Sequence, residues 1–270
     1  MLRTSAIIMI ISSSVAALTT SVKIYIENNR RVVEANGLPT HEHGDFPNSG
    51  NPNSIRAQNY KFTIPLNPKK NEKVNTTHRF LFGIALSGVP FDPGTAEYYN
   101  NDRRSGWRYE ALSGKLNLGI DQSNAHVQPT GAYHYHGIPK MIITGEAMQL
   151  IGYSADGFPI YYDKSFISSY SLKKGNRPSG PGGSYDGTFV ADYEYLEGQG
   201  NLGECNHTFA KTKEYPNGTY LYALTETFPF IPRCFIGTPD QSFAQKRPNG
   251  MRGRRGHRHH RRGHHHFHRF

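Results

Sequence analysis

Leu150-Ile151-Gly152-Tyr153-Ser154-Ala155-Asp156-Gly157-Phe158-Pro159-Ile160-Tyr161-Tyr162 sets two short apolar runs on either side of an Asp-Gly step. Asp-Gly tolerates the backbone angles of a tight reversal, so the segment predicts a β-hairpin. Moving outward, Tyr60-Lys61-Phe62-Thr63-Ile64 alternates apolar and polar, and Thr219 to Thr225 alternates again after Asn217-Gly218. Arg79 to Leu86 is mostly apolar and ends at Ser87-Gly88. Helical periodicity is scarce. Only Trp107 to Leu112 is expected to make a short helix, and Lys173 to Tyr185, rich in Pro and Gly, reads as a surface loop. The fold class expected is mainly β: a single β-sandwich or barrel-like domain over residues 22–240, with many loops and few short helices.

The two ends read differently from the middle. Met1-Leu2-Arg3 and the apolar stretch from Ala6 to Leu18, with small residues at Ser14-Val15-Ala16, have the order of a signal peptide, assigned to residues 1–16. The run is too short to span a bilayer, which takes about 20 residues. The expected localisation is therefore secreted and extracellular, with no transmembrane segment. An oxidising compartment favours pairing the only two cysteines, Cys205 and Cys234, across a loop of about 30 residues. Asn75, Asn206 and Asn217 each begin an N-x-Ser/Thr sequon and are the expected glycosylation sites.

Residues 241–270 are expected to be a disordered tail. Nine of the 31 basic residues and seven of the 14 histidines lie from Lys246 onward, without a single acid. The remaining 22 basic residues face 21 acidic ones, so the net charge of +10 belongs to the tail and does not indicate a nucleic-acid-binding fold. Two phenylalanines cannot bury enough apolar area to offset the ordering entropy of such a segment. Its partners would be metal ions through imidazole, and acidic polymers, glycans or a mineral surface through charge.

The densest chemistry lies in Asn124-Ala125-His126-Val127-Gln128-Pro129-Thr130-Gly131-Ala132-Tyr133-His134-Tyr135-His136-Gly137. On an extended strand His134 and His136 share one face, about 6.5–7 Å apart at Cα, and the tyrosines take the other. Two such imidazoles can converge on one ion, and His126 can return as a third ligand after the turn at Pro129-Thr130-Gly131. His41-Glu42-His43 repeats the His-x-His spacing upstream and completes the candidate metal set. Imidazole suits copper or zinc. The competing reading is a strand whose ring nitrogens are merely satisfied by carbonyls or carboxylates. His78 and His207 stand unpaired and read as structural.

Gly131-Ala132-Tyr133-His134-Tyr135-His136-Gly137 closely resembles the motif of the YHYH domain family. The blocks around His41-Glu42-His43-Gly44-Asp45-Phe46-Pro47, Gly88 to Pro93, Asn117 to Asp121, Ile151 to Tyr161, Glu204-Cys205-Asn206 and Phe228 to Cys234 extend the resemblance over roughly residues 36 to 238. The resemblance implies an exported domain, brings no established reaction, and adds Asp92, Asp121, Asp156 and Glu204 as polar members of matching blocks. Of these, Asp156 beside Gly157 reads as a turn residue.

Three functions compete. The first is a secreted metal-binding protein, of an extracellular or biomineral matrix, with a His-x-His copper or zinc site. The second is a metal-dependent oxidase or hydrolase using that site, which requires turnover. The third is a metal-free structural or adhesive matrix protein acting through its basic tail. Phosphate-binding loops, nucleophile elbows and Cys-x-x-Cys pairs are absent from the sequence.

Overall fold

The computed structural model describes residues 19–77 and 79–245. The expected signal peptide, His78 and the tail from Lys246 onward lie outside the described residues. Three antiparallel strands come first, β1 (Val22–Glu27), β2 (Arg30–Ala35) and β3 (Tyr60–Pro65), forming one sheet in that order. The chain continues through β4 (Asn75–Thr76), β5 (Gly83–Ala85), β6 (Pro90–Phe91), β7 (Ala125–Val127), β8 (Tyr133–Tyr135), β9 (Gln149–Ser154) and β10 (Pro159–Tyr162). Then come β11 (Tyr170–Leu172), β12 (Tyr193–Tyr195), β13 (His207–Ala210), β14 (Thr219–Leu224) and β15 (Cys234–Phe235). Eight of these form a mixed sheet ordered β13-β14-β10-β9-β5-β6-β8-β7. The pairs β10–β14 and β6–β8 are parallel.

The hairpin at Leu150–Tyr162 is the middle of that sheet. Gly157 takes φ +101°, a conformation that side chains resist, and closes the turn through Gly157 N donating to Ser154 O at 3.0 Å. Every residue of β10 is buried, which explains its unbroken apolar run: a strand covered on both faces has no polar side to alternate with. Asp156 is more than a turn residue. It is 1% exposed, and its Oδ2 accepts from Tyr222 Oη at 2.6 Å and Gly237 N at 2.8 Å, tying the hairpin to β14 and the segment after β15. Gly152 allows β5 close: a Cβ there would stand 2.2 Å from Ile84 O.

The two sheets face one another across a common core. Val33, Ala35, Phe62 and Ile64 of the smaller sheet join Phe82, Ile84, Ile151, Ile160, Tyr222 and Leu224 in one buried cluster, and the Arg31 guanidinium lies 3.6 Å over the Tyr153 ring. This is the layered, mainly β architecture expected. Helix is confined, among the described residues, to single 3-10 turns. No described helix is long and apolar enough to cross a membrane.

Three expectations change. Trp107 to Leu112 is not helical: Arg108 and Tyr109 make isolated bridges with Tyr98 and Phe189, because Trp107 is held against Phe189 rather than on a helix face. Residues 241–245, assigned to the tail, belong to the fold. Phe243 is 1% exposed and stacks on Phe62 at 4.2 Å. Asn206 is fully buried, its amide donating to Thr225 Oγ1 at 2.9 Å, so this fold leaves no room for a glycan there. Asn75 is half-buried and donates to Gly237 O, whereas Asn217 is exposed.

Cys205 and Cys234 form a disulfide with Cα atoms 5.1 Å apart, 29 residues apart in sequence. Closing that loop removes unfolded-state entropy worth about 3.6 kcal/mol. The Cys205→Ala/Cys234→Ala chain is expected to lose about that much unfolding free energy in urea. An unchanged midpoint would show that the bridge adds nothing to stability.

Candidate metal centre

Alternation along β8 decides which way its side chains point. Tyr133 and Tyr135 join Ala125, Val127 and Phe91 in the core between the sheets, so His134 and His136 take the opposite face. Antiparallel pairing sets His126 of β7 opposite His134. The three rings converge with centroids 4.7–4.8 Å apart. His136 Nε2 lies 3.0 Å from His134 Nε2 and 3.1 Å from His126 Nε2. His134 and His136 are 3% and 1% exposed, and His126 is half-buried.

Carbonyl contacts assign the protons on two rings. His126 Nδ1 lies 2.9 Å from Leu118 O and His134 Nδ1 lies 3.2 Å from Ala132 O. A carbonyl only accepts, so each Nδ1 carries hydrogen and each Nε2 presents a bare lone pair to the centre. Burial holds all three rings neutral. It pushes the imidazolium of His134 down to about 3 and that of His136 well below the usual range, with the neighbouring rings adding to both. His126 is lowered by the same cause. Three neutral imidazoles with ligand atoms within 4.8 Å of one another can hold one metal ion.

Around the trio stand Asp92, a polar member of one of the matching blocks, and groups to which motif reading gave no role. Asp92 extends β6, its N–H donating to Tyr135 O. Its Oδ2 accepts from Gln128 at 3.2 Å and Gln245 at 2.7 Å, so it serves as an anchor rather than a member of the three-ligand group. Burial pushes its carboxyl up, and the Gly94 N–H, the Gln245 amide and the charges of Arg108 and Arg233 oppose the shift. Arg233 pairs with the fully buried Glu110 at 2.6 Å and donates to Pro93 O. The Arg108 guanidinium packs over Gly94 and donates to Thr95 O, with Nε at 2.7 Å. Gln128 was within reach of sequence reasoning, two residues beyond His126 on the same face. Arg108, Glu110 and Arg233 come from distant, irregular segments with no spacing to mark them.

The structure does not bring His41 and His43 to the trio. Both sit on the tyrosine face of β8: His41 Nε2 bonds Tyr135 Oη at 2.7 Å, and the His43 ring packs beside Tyr133 at 6.2 Å. Asp121 is on that side too, accepting from Tyr133 Oη at 2.6 Å. Glu204 is an exposed residue whose carbonyl accepts from Tyr170. His207 lies in β13, its ring packed against Gly203.

A family model described as YHYH protein matches residues 61–237, more than half of the chain. The chain belongs to the YHYH protein family. The match takes in all three trio histidines of the YHYH domain and begins after the His41–Pro47 block. No curated protein and no solved structure shows significant similarity to the chain.

The neutral trio makes the stability of the metal-free YHYH domain pH-dependent. Histidines in the unfolded chain titrate near 6.5, while folded His134 does so at about 3. Between those values the unfolded state binds more protons, so stability is full above about pH 6.5 and falls as the pH drops. For His134 alone the loss is about 2 kcal/mol by about pH 5. In chelator-treated protein, urea unfolding at about pH 7 and about pH 5 is expected to show a smaller pH difference for His134→Gln than for the unsubstituted chain. Equal differences would mean that burial does not hold this ring neutral.

Proposed function

We propose that this is a secreted metal-binding protein, and that His126, His134 and His136 hold one copper or zinc ion through their Nε2 atoms. The observation that carries the reading is the set of Nε2 atoms at 3.0 and 3.1 Å, two of them assigned as bare lone pairs by carbonyls behind their rings. Lone pairs turned toward one another repel unless a cation lies between them. A proton can do this in the metal-free state, shared from His136 Nε2. Burial keeps the three rings unprotonated, so their nitrogens stay available as uncharged donors to one metal ion. Outer carbonyls that orient ligating imidazoles are a recurrent feature of such sites.

The extracellular setting rests on the signal-like residues 1–16 and is supported by the Cys205–Cys234 bridge, since disulfides persist in oxidising compartments. The exposed Asn217 is the sequon best suited to a glycan. A role in an extracellular or biomineral matrix follows if the Arg/His-rich segment from Lys246 contacts acidic polymers, glycans or mineral while the domain carries the metal.

Equilibrium dialysis of the full chain against zinc or copper, beside His134→Ala/His136→Ala, separates the domain from the tail, whose histidines are the same in both. The substituted chain is expected to bind about one equivalent less, with its β circular dichroism retained. Equal metal content in two folded proteins would rule out the trio as the site.

A further inference from the structure

Resting on the metal reading above, one feature of the trio is out of step with the other two members. A ligating histidine normally donates its outer N–H to an acceptor. His126 has Leu118 O and His134 has Ala132 O, but His136 Nδ1 is buried with no hydrogen-bond partner among the described residues. With its Nε2 given to a metal, His136 must carry its hydrogen on Nδ1, a donor facing no acceptor.

The neighbouring groups are donors as well. Arg233 Nε is buried and unpartnered, although its terminal nitrogens reach Glu110, Pro93 and Pro229. Arg108 forms no ion pair among the described residues. Its Nε and Nη2 donate to the Thr95 carbonyl, which carries no charge to offset it, with the Tyr98 ring 5.8 Å away. Both arginines lean on the segment Pro93-Gly94-Thr95, directly after Asp92, whose N–H bonds the carbonyl next to His136. The positive charges of Arg233 and Arg108 both reach His136.

Charge points the same way. Asp92 and Glu110 stand against Arg108 and Arg233, and the further carboxylates, Glu97 and Asp121, act on His126. At His136 the outside charges are the two arginines, so a divalent ion adds positive charge to a side that is already cationic. Water would need acceptors for its own hydrogens where the free groups are donors. A carboxylate accepts only, and it matches a guanidinium.

We propose that the loaded domain binds a small carboxylate anion on the Nδ1 side of His136, with Arg233 Nε and the Arg108 guanidinium as its cationic partners. The anion completes the outer hydrogen bond of His136 and offsets the charge of the metal. Binding of metal and anion is then reciprocal, each tightening the other by the same factor.

The test uses cobalt(II)-loaded full chain titrated with acetate, read in the visible bands of the ion, with acetamide as the neutral control. A saturable change with acetate alone is expected, absent from His134→Ala/His136→Ala. Arg108→Gln should weaken acetate about tenfold or more at unchanged cobalt content, as the loss of one charge-assisted hydrogen bond implies. Arg108→Lys should fall between the two, and the unchanged cobalt content reports intact folding. Cobalt bound by the trio with no saturable acetate response, or with equal affinity in Arg108→Gln, overturns the anion site and leaves the metal reading standing. Cobalt content equal in the chain lacking His134 and His136 overturns both.

Discussion

Two phenol hydroxyls fix the register of β8. Tyr133 donates to Asp121 at 2.6 Å and Tyr135 meets His41 at 2.7 Å, while both rings lie in the core between the sheets. A one-residue slip of this strand would drive two imidazoles into that core and turn two tyrosines out. The same anchors therefore determine where the histidines go: away from the core, opposite His126 of β7, beneath the excursion that carries Arg108, Glu110 and Leu118. The role of His41 is on the anchoring side of the strand.

Burial then gives the histidine face its chemistry. Desolvation disfavours charge on every ring, so the three imidazoles remain neutral where exposed histidines would begin to protonate. Neutral rings whose outer hydrogens are directed to Leu118 and Ala132 carbonyls aim their lone pairs inward. The buried carboxylates nearby are already occupied, Asp92 by two glutamine amides and a backbone N–H, Glu110 by Arg233. They stabilise the surrounding frame and leave the coordination to nitrogen.

Much of this was legible locally. Alternation in Tyr133–His136 placed the two histidines together, and the Asp-Gly step located the central hairpin. Alternation also bounded β3 and β14 within one residue. What was not legible depends on long-range packing. His41-Glu42-His43 has the right spacing for a ligand pair, but spacing says nothing about which face of β8 a strap residue will meet. Trp107 to Leu112 reads as a short helix, yet Arg108 and Tyr109 bridge Tyr98 and Phe189, where Trp107 packs on the Phe189 ring. Phe243 sits beside a polar run but finds Phe62 across 181 residues of chain. Asn206 satisfies a three-residue rule while its amide is consumed inside the fold.

Coordination of one ion by three Nε2 atoms would be visible to X-rays. The most direct measurement is an anomalous difference map from crystals of the full chain soaked in zinc, recorded on either side of the metal absorption edge. A peak is expected about 2.0–2.1 Å from the Nε2 atoms of His126, His134 and His136, the usual zinc–imidazole distance. An ordered trio with no peak between its rings, while zinc density appears elsewhere in the same crystal, would contradict that coordination.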